Sequence, residues 1–340
     1  MTDKVAIVNV GTNGYSSALD NAFDLIDLNK DDLAGRSVII KPNLCDLEGP
    51  ELGVTTDVFL VESLVEILQR NGCSRIAIVE SDHWVSTADE EFRRLGYKEM
   101  AERRNVRLIN LSKAPSYRMV LHGKRFKEIR VPKEMMEYDF FITVPKLKTH
   151  ADCYITCALK NQFGMNPRKY KSEHHAFLSQ ALFDLNKLYR PHLVVVDGNF
   201  VQIEENVAKK IGLVLVGTDP VAVDYVVTRL FDMNPKHVPY LKYFLKFRKT
   251  PLNVEILGRA VCDCLIETSF RRPQHPSLLL NLAHVIFKAS EKVGEVKKVG
   301  KRLSGFIKEA DVYLAGTPPH LLLPAMIRGY REFRARKKGK

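Results

Sequence analysis

Long apolar runs are missing from this sequence of 340 residues. No run approaches the ~18 residues that suggest a membrane-spanning helix. The longest candidate, Leu278–Phe287, is shorter and contains His284. The opening residues, MTDKVAIVNV, lack the charged, apolar and small-residue layout of a signal peptide. Together these absences predict a cytoplasmic protein.

Cysteine is also scarce, with six residues and no C-x-x-C pair. A disulfide framework is therefore not expected inside the cell. Cys153 and Cys157 are four residues apart and follow His150, so a helix would place the two thiols on one face. With Cys262 and Cys264 they are candidate ligands for zinc or an iron–sulfur cluster. The alternative is that these thiols are small buried hydrophobes, which is the commoner case.

Several catalytic signatures are absent as well. The stretch GTNGYSS (11–17) follows a predicted strand and opens a helix, an arrangement that can hold an anion on backbone N–H groups. It lacks the G-x-G-x-x-G spacing and the Walker lysine, so nucleotide binding has little support. The sequence contains neither G-x-S-x-G nor H-E-x-x-H.

Positive charge is concentrated at one end of the chain. The net charge is +12, yet residues 1–270 hold 36 Lys and Arg against 35 Asp and Glu. Residues 271–327 hold 9 against 4, and residues 328–340 hold 7 against 1. Such a tail suits an anionic membrane surface, an acidic partner or nucleic acid, and the alternative is a solvated terminus. Nucleic acid ranks low because aromatic residues are not interleaved with the basic ones.

Apolar β-branched runs alternate with helical patterns over residues 1–250. This alternation predicts an α/β fold with a mostly parallel sheet and helices on both faces. A hairpin is predicted over 117–132, turning at 122–124. The predicted strands are 4–10, 37–41, 75–80, 106–110, 139–144, 192–197 and 212–217. The predicted helices are 17–28, 57–71, 87–104, 176–188 and 219–231, with Asp57 and Asp219 at N-cap or first-turn positions.

The character of the sequence changes after about residue 250. Residues 251–340 read as amphipathic helices with glycine breaks, so we predict a helical, basic C-terminal extension to an α/β domain of residues 1–250. The extension would either cap the α/β domain or lie on a membrane surface. A cap is favoured, because the apolar stripes of helices more often face protein.

Polar residues follow several predicted strands directly, where a parallel sheet binds its ligands. Lysines there suit a carboxylate or phosphate, asparagines orient a ligand, and histidines move protons near neutral pH. A lysine crowded by other cations also becomes a base. The candidates for substrate binding are Lys41, Asn43, Thr56, Lys148, Thr156, Asn161, Asp197 and Asp219. The candidates for catalysis are Lys146, His150, Lys160 and His174. The alternatives are solvated lysines and an Asp219 that only caps a helix.

Six motifs occur in a characteristic order: IIKPNL, VTTDVFLVESLVEIL, VPKLKTH, TCALKNQFGMNP with a following histidine, PHLVVVDG and GTDPVAVD. Over roughly residues 4–245 this pattern closely resembles the domain-of-unknown-function 362 family. Many members of that family are joined to a ferredoxin-like iron–sulfur module, which this sequence lacks. More loosely, the layout is similar to nickel-pincer lactate racemases, in which His and Lys flank a hydroxy acid. The positions that match the family pattern are Lys41, Pro42, Asn43, Thr56, Pro145, Lys146, His150, Thr156, Lys160, Asn161, Gly164, His174, Asp197, Asp219 and Asp224.

Three functional hypotheses follow. The first is an enzyme whose lysines hold a small anion while His150 or His174 moves a proton, by racemisation, lyase chemistry or redox chemistry with an electron-transfer partner. A metal ion held by His150, His174 and Asp197 belongs to this hypothesis. The second is a non-catalytic protein that docks through its basic C-terminal region. The third is a metal or iron–sulfur carrier.

Overall fold

Twelve strands form in residues 2–83, 86–150, 153–169, 171–204 and 206–268, the part of the chain that the computed structural model describes. Of residues 172 and 173 it describes the backbone alone. In chain order the strands are β1 (Asp3–Asn9), β2 (Ser37–Pro42), β3 (Arg75–Glu80), β4 (Arg107–Asn110), β5 (Ser116–Val120), β6 (Glu128–Pro132), β7 (Phe140–Val144), β8 (Lys146–His150), β9 (Tyr154–Thr156), β10 (Leu193–Glu204), β11 (Val207–Gly217) and β12 (Val254–Gly258).

Eight α-helices and seven short 3₁₀ helices connect these strands within the same residues. The α-helices are α1 (Gly14–Leu25), α2 (Val58–Arg70), α3 (Ala88–Arg94), α4 (Tyr97–Arg104), α5 (Ala158–Asn161), α6 (Leu178–Leu188), α7 (Pro220–Leu230) and α8 (Pro239–Phe247). The 3₁₀ helices are Lys30–Leu33, Pro50–Leu52, Lys133–Met136, Gln162–Met165, Ser172–Phe177, Pro235–His237 and Val261–Cys264. None of these helices has the length and apolar character to cross a bilayer.

One sheet of ten strands carries the fold, in the order β12-β1-β11-β10-β7-β2-β3-β4, with β8 beside β10 and β9 beside β8. Most neighbours run parallel, but β11 is antiparallel to both β1 and β10, and β9 is antiparallel to β8. The predicted α/β class with a mostly parallel sheet is therefore confirmed. Strands β5 and β6 form the predicted hairpin, which is a separate two-stranded sheet.

Helices cover both faces of the sheet. Successive residues of a strand point to opposite faces, and in the central strands both sets of side chains are apolar and need to be buried. On one face Ala6, Val8 and Ile40 join an apolar cluster with residues of α1 to α4. On the other face Val5 and Ile7 join a second cluster with residues of α5 to α8. A third cluster packs the hairpin and α6 against β2 and β3. The burial of both faces explains the nearly continuous apolar runs of the central strands.

Local signals in the sequence set most helix boundaries. The carboxylate of Asp57 accepts from the N–H of Phe59 at the start of α2, as an N-cap does. The predicted helix 87–104 is instead two helices, because Gly96 adopts a left-handed conformation between α3 and α4.

The sheet continues beyond residue 250, the predicted end of the α/β domain. Strand β12 pairs in parallel with β1, and the compact unit to which it belongs is Met1–Arg271. Residues 251–268 therefore form part of the α/β unit. The rest of the predicted helical extension lies outside the described residues and stays a prediction.

Candidate functional site

Strands β2, β3, β7 and β10 all end at the same edge of the sheet, and their polar residues meet there. The first group centres on Lys41, whose Nζ lies 2.8 Å from Oε2 of Glu80 and donates to Oδ1 of Asn161 at 3.3 Å. The Lys41 and Glu80 side chains are 1% and 6% exposed. Burial by itself would raise the pKa of Glu80, but the charge of Lys41 lowers the pKa below its usual value. Glu80 is therefore an ionised carboxylate, and its ion pair with Lys41 neutralises the charge of that lysine.

Asn161 connects this pair to neighbouring segments of the chain. Its Nδ2 donates to the Lys41 carbonyl at 3.1 Å and to Oγ1 of Thr143 at 2.8 Å. Its Oδ1 also accepts from Nδ2 of Asn43 at 3.3 Å. Asn161 is fixed because the carboxylate of Asp224 accepts from two N–H groups at the start of α5. Burial raises the pKa of Asp224 to about 7.

Asn43 begins a second chain of contacts, which reaches Lys148. The backbone N–H of Asn43 donates to Oγ1 of Thr56 at 2.8 Å, and Thr56 in turn donates to the Val144 carbonyl. The thiol of Cys45 lies 3.4 Å from Oδ1 of Asn43 and 3.1 Å from Nζ of Lys148. Five of the predicted residues therefore belong to one connected network: Lys41, Asn43, Thr56, Lys148 and Asn161.

Lys146 forms a third group with Asp197. Its Nζ lies 2.9 Å from Oδ2 of Asp197, and both side chains are 0% exposed. The same oxygen accepts from the N–H of Asp57 at 2.8 Å. Asp57 also accepts from the hydroxyl of Tyr15 at 2.7 Å, and Nδ2 of Asn199 donates to that hydroxyl. This group joins the start of β8 and the middle of β10 to the starts of α1 and α2.

His150 lies at the end of β8, two residues after Lys148 and therefore on the same side of the strand. It is partly exposed, as is Lys160, whereas Lys148 is buried. Burial, followed by the positive charges of Lys160 and Lys148, lowers the pKa of His150 well below its ordinary value. The imidazole is therefore neutral at pH 7 and can accept a proton.

Gly164 and Lys171 lie close to the Lys41–Glu80 pair. A Cβ atom on Gly164 would lie 2.7 Å from Cε of Lys41 and 2.8 Å from Oε1 of Glu80, so this close approach requires glycine. Nζ of Lys171 donates to Oγ of Ser81 at 2.6 Å. Burial lowers the pKa of Lys171 to about 8, with Glu80 opposing that shift.

Asp219 does not lie at this edge, in contrast to its predicted role in substrate binding. Because β11 is antiparallel to its neighbours, its carboxyl end pairs with the beginnings of β1 and β10. Asp219 caps α7 through the N–H groups of Val221 and Ala222 and binds Arg248 at 3.0 Å. Arg248 also binds Asp3 at the start of β1. The alternative reading, a helix cap, is the correct one.

Two further predicted residues, Thr156 and His174, lie outside the hydrogen-bonded groups described above. Thr156 is opposite Lys148 in the β8–β9 pair, and its buried Oγ1 has no hydrogen-bond partner in the described part of the chain. His174 is buried against the ring of Phe126, with 4.8 Å between ring centres. It lines a separate pocket beside the hairpin.

The two cysteines predicted as metal ligands do not share a helical face. Cys153 and Cys157 flank strand β9, and Tyr154 between them has a left-handed backbone with φ of 71°. Both thiols are buried in an apolar cluster, and burial raises the pKa of Cys157 well above its usual value. The donors do not suit a metal or an iron–sulfur cluster, since no three His, Cys, Asp or Glu in the described ranges are grouped to hold one.

Several residues of these groups were not predicted as site residues, among them Tyr15, Cys45, Asp57, Glu80 and Lys171. Glu80 follows a predicted strand just as Lys41 does, so its position alone was a usable signal. Lys171 has no such signal, because it lies within a loop and meets Ser81 only through the tertiary fold.

These features define an α/β protein with a buried, ion-paired polar site at the carboxyl edge of its sheet. The chain belongs to the family described as Domain of unknown function (DUF362), whose pattern matches residues 38–229. The family resemblance inferred from the motifs is thus confirmed.

Similarity to a curated protein is more distant. The Thylakoid-associated protein sll1697 of Synechocystis sp. is 24% identical over 216 residues, which make up 60% of this chain and 66% of that protein. The chain therefore spans just under two thirds of that relative's length.

Two solved structures share parts of the fold. The lactate racemase apoprotein from Thermoanaerobacterium thermosaccharolyticum has 10% identity and a TM-score of 0.47, over 68% of this chain and 57% of that one. A protein from Thermotoga maritima has 14% identity and a TM-score of 0.37, over 61% of this chain and 55% of that one. No functional argument rests on likenesses this distant.

Proposed function

We propose that this chain is an enzyme that binds a small carboxylate or phosphate at the carboxyl edge of its sheet and moves a proton with His150. The proposal is supported by the position of His150 at the partly exposed end of β8, on the same side of the strand as Lys148. There desolvation, followed by the positive charges of Lys160 and Lys148, lowers the pKa of the imidazole. A neutral base beside two ammonium groups suits an anion whose proton is to be removed.

The lysines of the site divide into two kinds. Lys41 and Lys146 are bound to buried carboxylates, so they hold the framework together and have no charge left for a ligand. Lys148 donates to the Val54 carbonyl and contacts a thiol, and neither of these partners neutralises its charge. We therefore assign anion binding to Lys148 and Lys160.

Binding of an anion would also make His150 a stronger base. A negative charge placed beside Lys148 and Lys160 offsets their repulsion of the imidazolium, so the pKa of His150 rises towards neutrality. A base with a pKa near the working pH is the most effective one. The reaction class that fits is proton abstraction beside a carboxylate or phosphate, as in racemisation or elimination.

Metal-assisted and redox versions of this hypothesis have less support. The proposed ligands His150, His174 and Asp197 do not converge, because Asp197 is bonded to Lys146 and His174 lies against Phe126. Electron transfer to a partner protein would need a redox group that the cysteines do not provide, since their thiols are not grouped with other ligands in the described ranges.

The proposal is tested by NMR of histidine-labelled protein. The His150 signal is identified by its loss in His150→Gln, and its pKa is measured with and without malonate or phosphate. We expect either anion to raise the pKa, and Lys160→Gln to raise it in the free protein and to weaken the response. Lys169→Gln is the matched control, because Lys169 is exposed and is not among the charges that act on His150.

Turnover is sought by incubating the protein with a panel of small carboxylates and phosphate esters in deuterated water. Incorporation of deuterium that His150→Gln abolishes would support the proposal. A His150 pKa that responds to none of the anions, together with no exchange on any compound, would overturn it.

Peripheral docking on an anionic membrane is a second candidate. It is supported by the excess of 7 basic over 1 acidic residues in 328–340 and by the description of the relative as thylakoid-associated. Binding to phosphatidylserine vesicles that falls with salt and is lost on deleting 328–340 would support it. Equal binding by the truncated chain, or stronger binding to duplex DNA, would contradict it. The proposed location is cytoplasmic, consistent with six cysteines that form no disulfide bond.

A further inference from the structure

A basic pocket lies beside the β5–β6 hairpin, separate from the site at the edge of the sheet. It has a volume of about 290 Å³. Its walls come from the hairpin and from Asn166, Arg168 and His174. The residues that line it are Arg118, Arg125, Phe126, Lys127, Glu128, Ile129, Arg130, Asn166, Arg168 and His174.

Basic side chains outnumber acidic ones in the described lining of the pocket. Four arginines and one lysine line it, and Glu128 is the one acidic residue in that described lining. Glu128 is engaged by Arg118. Within the described part of the chain, Arg130 donates to the hydroxyl of Ser116, which carries no charge. So many cations around one concavity repel each other, and an anion with more than one negative charge would relieve that repulsion.

Two buried donors in the pocket have no acceptor among the residues that the structure describes. Asn166 is 2% exposed, and its Nδ2 has no hydrogen-bond acceptor among the described residues. The same is true of the buried Nε of Arg125, whose guanidinium lies 5.0 Å from the ring centre of Phe177. A buried donor without an acceptor costs free energy, so both positions indicate a ligand that accepts hydrogen bonds.

The loop that carries Arg125 is held in place from behind. The carboxylate of Asp184 accepts from the backbone N–H groups of Lys124, Arg125 and Phe126 at 2.7, 2.6 and 2.9 Å. A Cβ on Gly123 would lie 2.4 Å from that carboxylate, so only glycine allows the approach. The basic wall is therefore ordered before any ligand arrives, which lowers the entropic cost of binding.

We propose that this pocket is a binding site for a small molecule that carries a diphosphate or a phosphate monoester. Planar guanidinium groups match phosphate oxygens in pairs, and four arginines exceed what a single carboxylate requires. The volume suits a diphosphate or a sugar phosphate, whereas an entire dinucleotide needs a larger cleft. The buried amide of Asn166 favours a compact ligand that enters the pocket over an extended polymer that crosses its mouth.

This inference does not rest on the function proposed for the edge site. The two sites nevertheless share one segment, because Gly164 and Lys171 contact the edge site whereas Asn166 and Arg168 line the pocket. A ligand in the pocket would therefore contact residues that are near neighbours in the chain of Gly164, which lies against the Lys41–Glu80 pair.

The test is calorimetric titration of the full chain with inorganic pyrophosphate at physiological salt. We expect saturable binding, and a rise in Kd of about tenfold or more for Arg130→Gln, because a charge-assisted hydrogen bond is lost. Arg130→Lys should recover part of the affinity by restoring the charge alone. Arg70→Gln is the matched control, since Arg70 is an exposed arginine paired with Asp20 outside the pocket. Each variant is checked for an unchanged melting temperature.

A competition experiment distinguishes a small phosphate compound from a lipid headgroup or a nucleic acid as the ligand of the pocket. Phosphatidic acid vesicles and single-stranded RNA are titrated with and without pyrophosphate. The proposal is supported if pyrophosphate binds and Arg130→Gln weakens it while Arg70→Gln does not. It is overturned if pyrophosphate shows no saturable binding, if both variants bind equally, or if vesicles or RNA bind through Arg130 and pyrophosphate fails to displace them. None of these readouts involves His150, so failure here and failure of the proposed proton transfer are distinguishable.

Discussion

The buried ion pair between Lys146 and Asp197 should make a large contribution to the stability of the edge site. Both side chains are 0% exposed, and Nζ lies 2.9 Å from Oδ2. Asp197 also accepts from the backbone N–H groups of Asp57 and Asn199. Removing one charge leaves the other buried without a counter-ion, and a loss of that kind costs about 3–5 kcal/mol.

The prediction is made on three variants: Lys146→Met, Asp197→Asn and the two combined. Each single substitution should lower the free energy of unfolding by about 3–5 kcal/mol. The double variant buries no uncompensated charge, so its loss should be about 2–3 kcal/mol smaller than the sum of the two single losses. The measurement is urea unfolding at pH 7, followed by far-UV circular dichroism.

Lys30→Met provides the control for an exposed pair. Nζ of Lys30 lies 2.8 Å from Oδ1 of Asp24, but the two side chains are 26% and 71% exposed. Water screens such a pair, so its loss should cost less than about 1 kcal/mol. If Lys146→Met costs no more than Lys30→Met, or if the single losses simply add, the argument that the buried pair organises the site is wrong.

Two further predictions concern the surroundings of the pair formed by Lys41 and Glu80. Gly164→Ala should lower the free energy of unfolding by about 1–3 kcal/mol, because the new Cβ overlaps that pair; an unchanged urea midpoint would contradict the close approach. Burial raises the pKa of Glu91 to about 9, so the folded state keeps a proton that the unfolded state loses above its pKa of 4.5. Stability should therefore fall as pH rises from 6 to 8.5, by about 1–3 kcal/mol, and Glu91→Gln should remove that part of the fall. Equal pH profiles for the two proteins would refute the raised pKa.

The elements of the fold were largely predictable, because their signals are local. Apolar runs marked the central strands, and the acid at position 57 marked the start of α2. The direction of β11 was not predictable, since an antiparallel strand buried on both faces has the same apolar pattern as a parallel one. Because β11 runs antiparallel to β10, Asp219 lies at the opposite edge of the sheet.

The sequence predicted which residues lie at the site better than it predicted which of them contact each other. The rule that strand ends gather at one edge predicted Lys41 and Asn43 as neighbours, and both bind Asn161 at the end of α5. Their arrangement within the site depends on contacts between residues far apart in the chain, such as Lys41 with Glu80. Strand β8 (Lys146–His150) was not among the predicted strands, and it places His150 at its end. The catalytic and binding roles of these residues remain predictions.

The sequence by itself determined the family, the α/β class and the set of basic and polar residues available for chemistry. These properties reside in local patterns of side chains, which are present before the chain folds. The tertiary structure alone decided which lysines are neutralised by buried carboxylates and which remain to meet a ligand. The physical reason is that a charge acquires its role from its surroundings, and only the folded chain fixes what surrounds it.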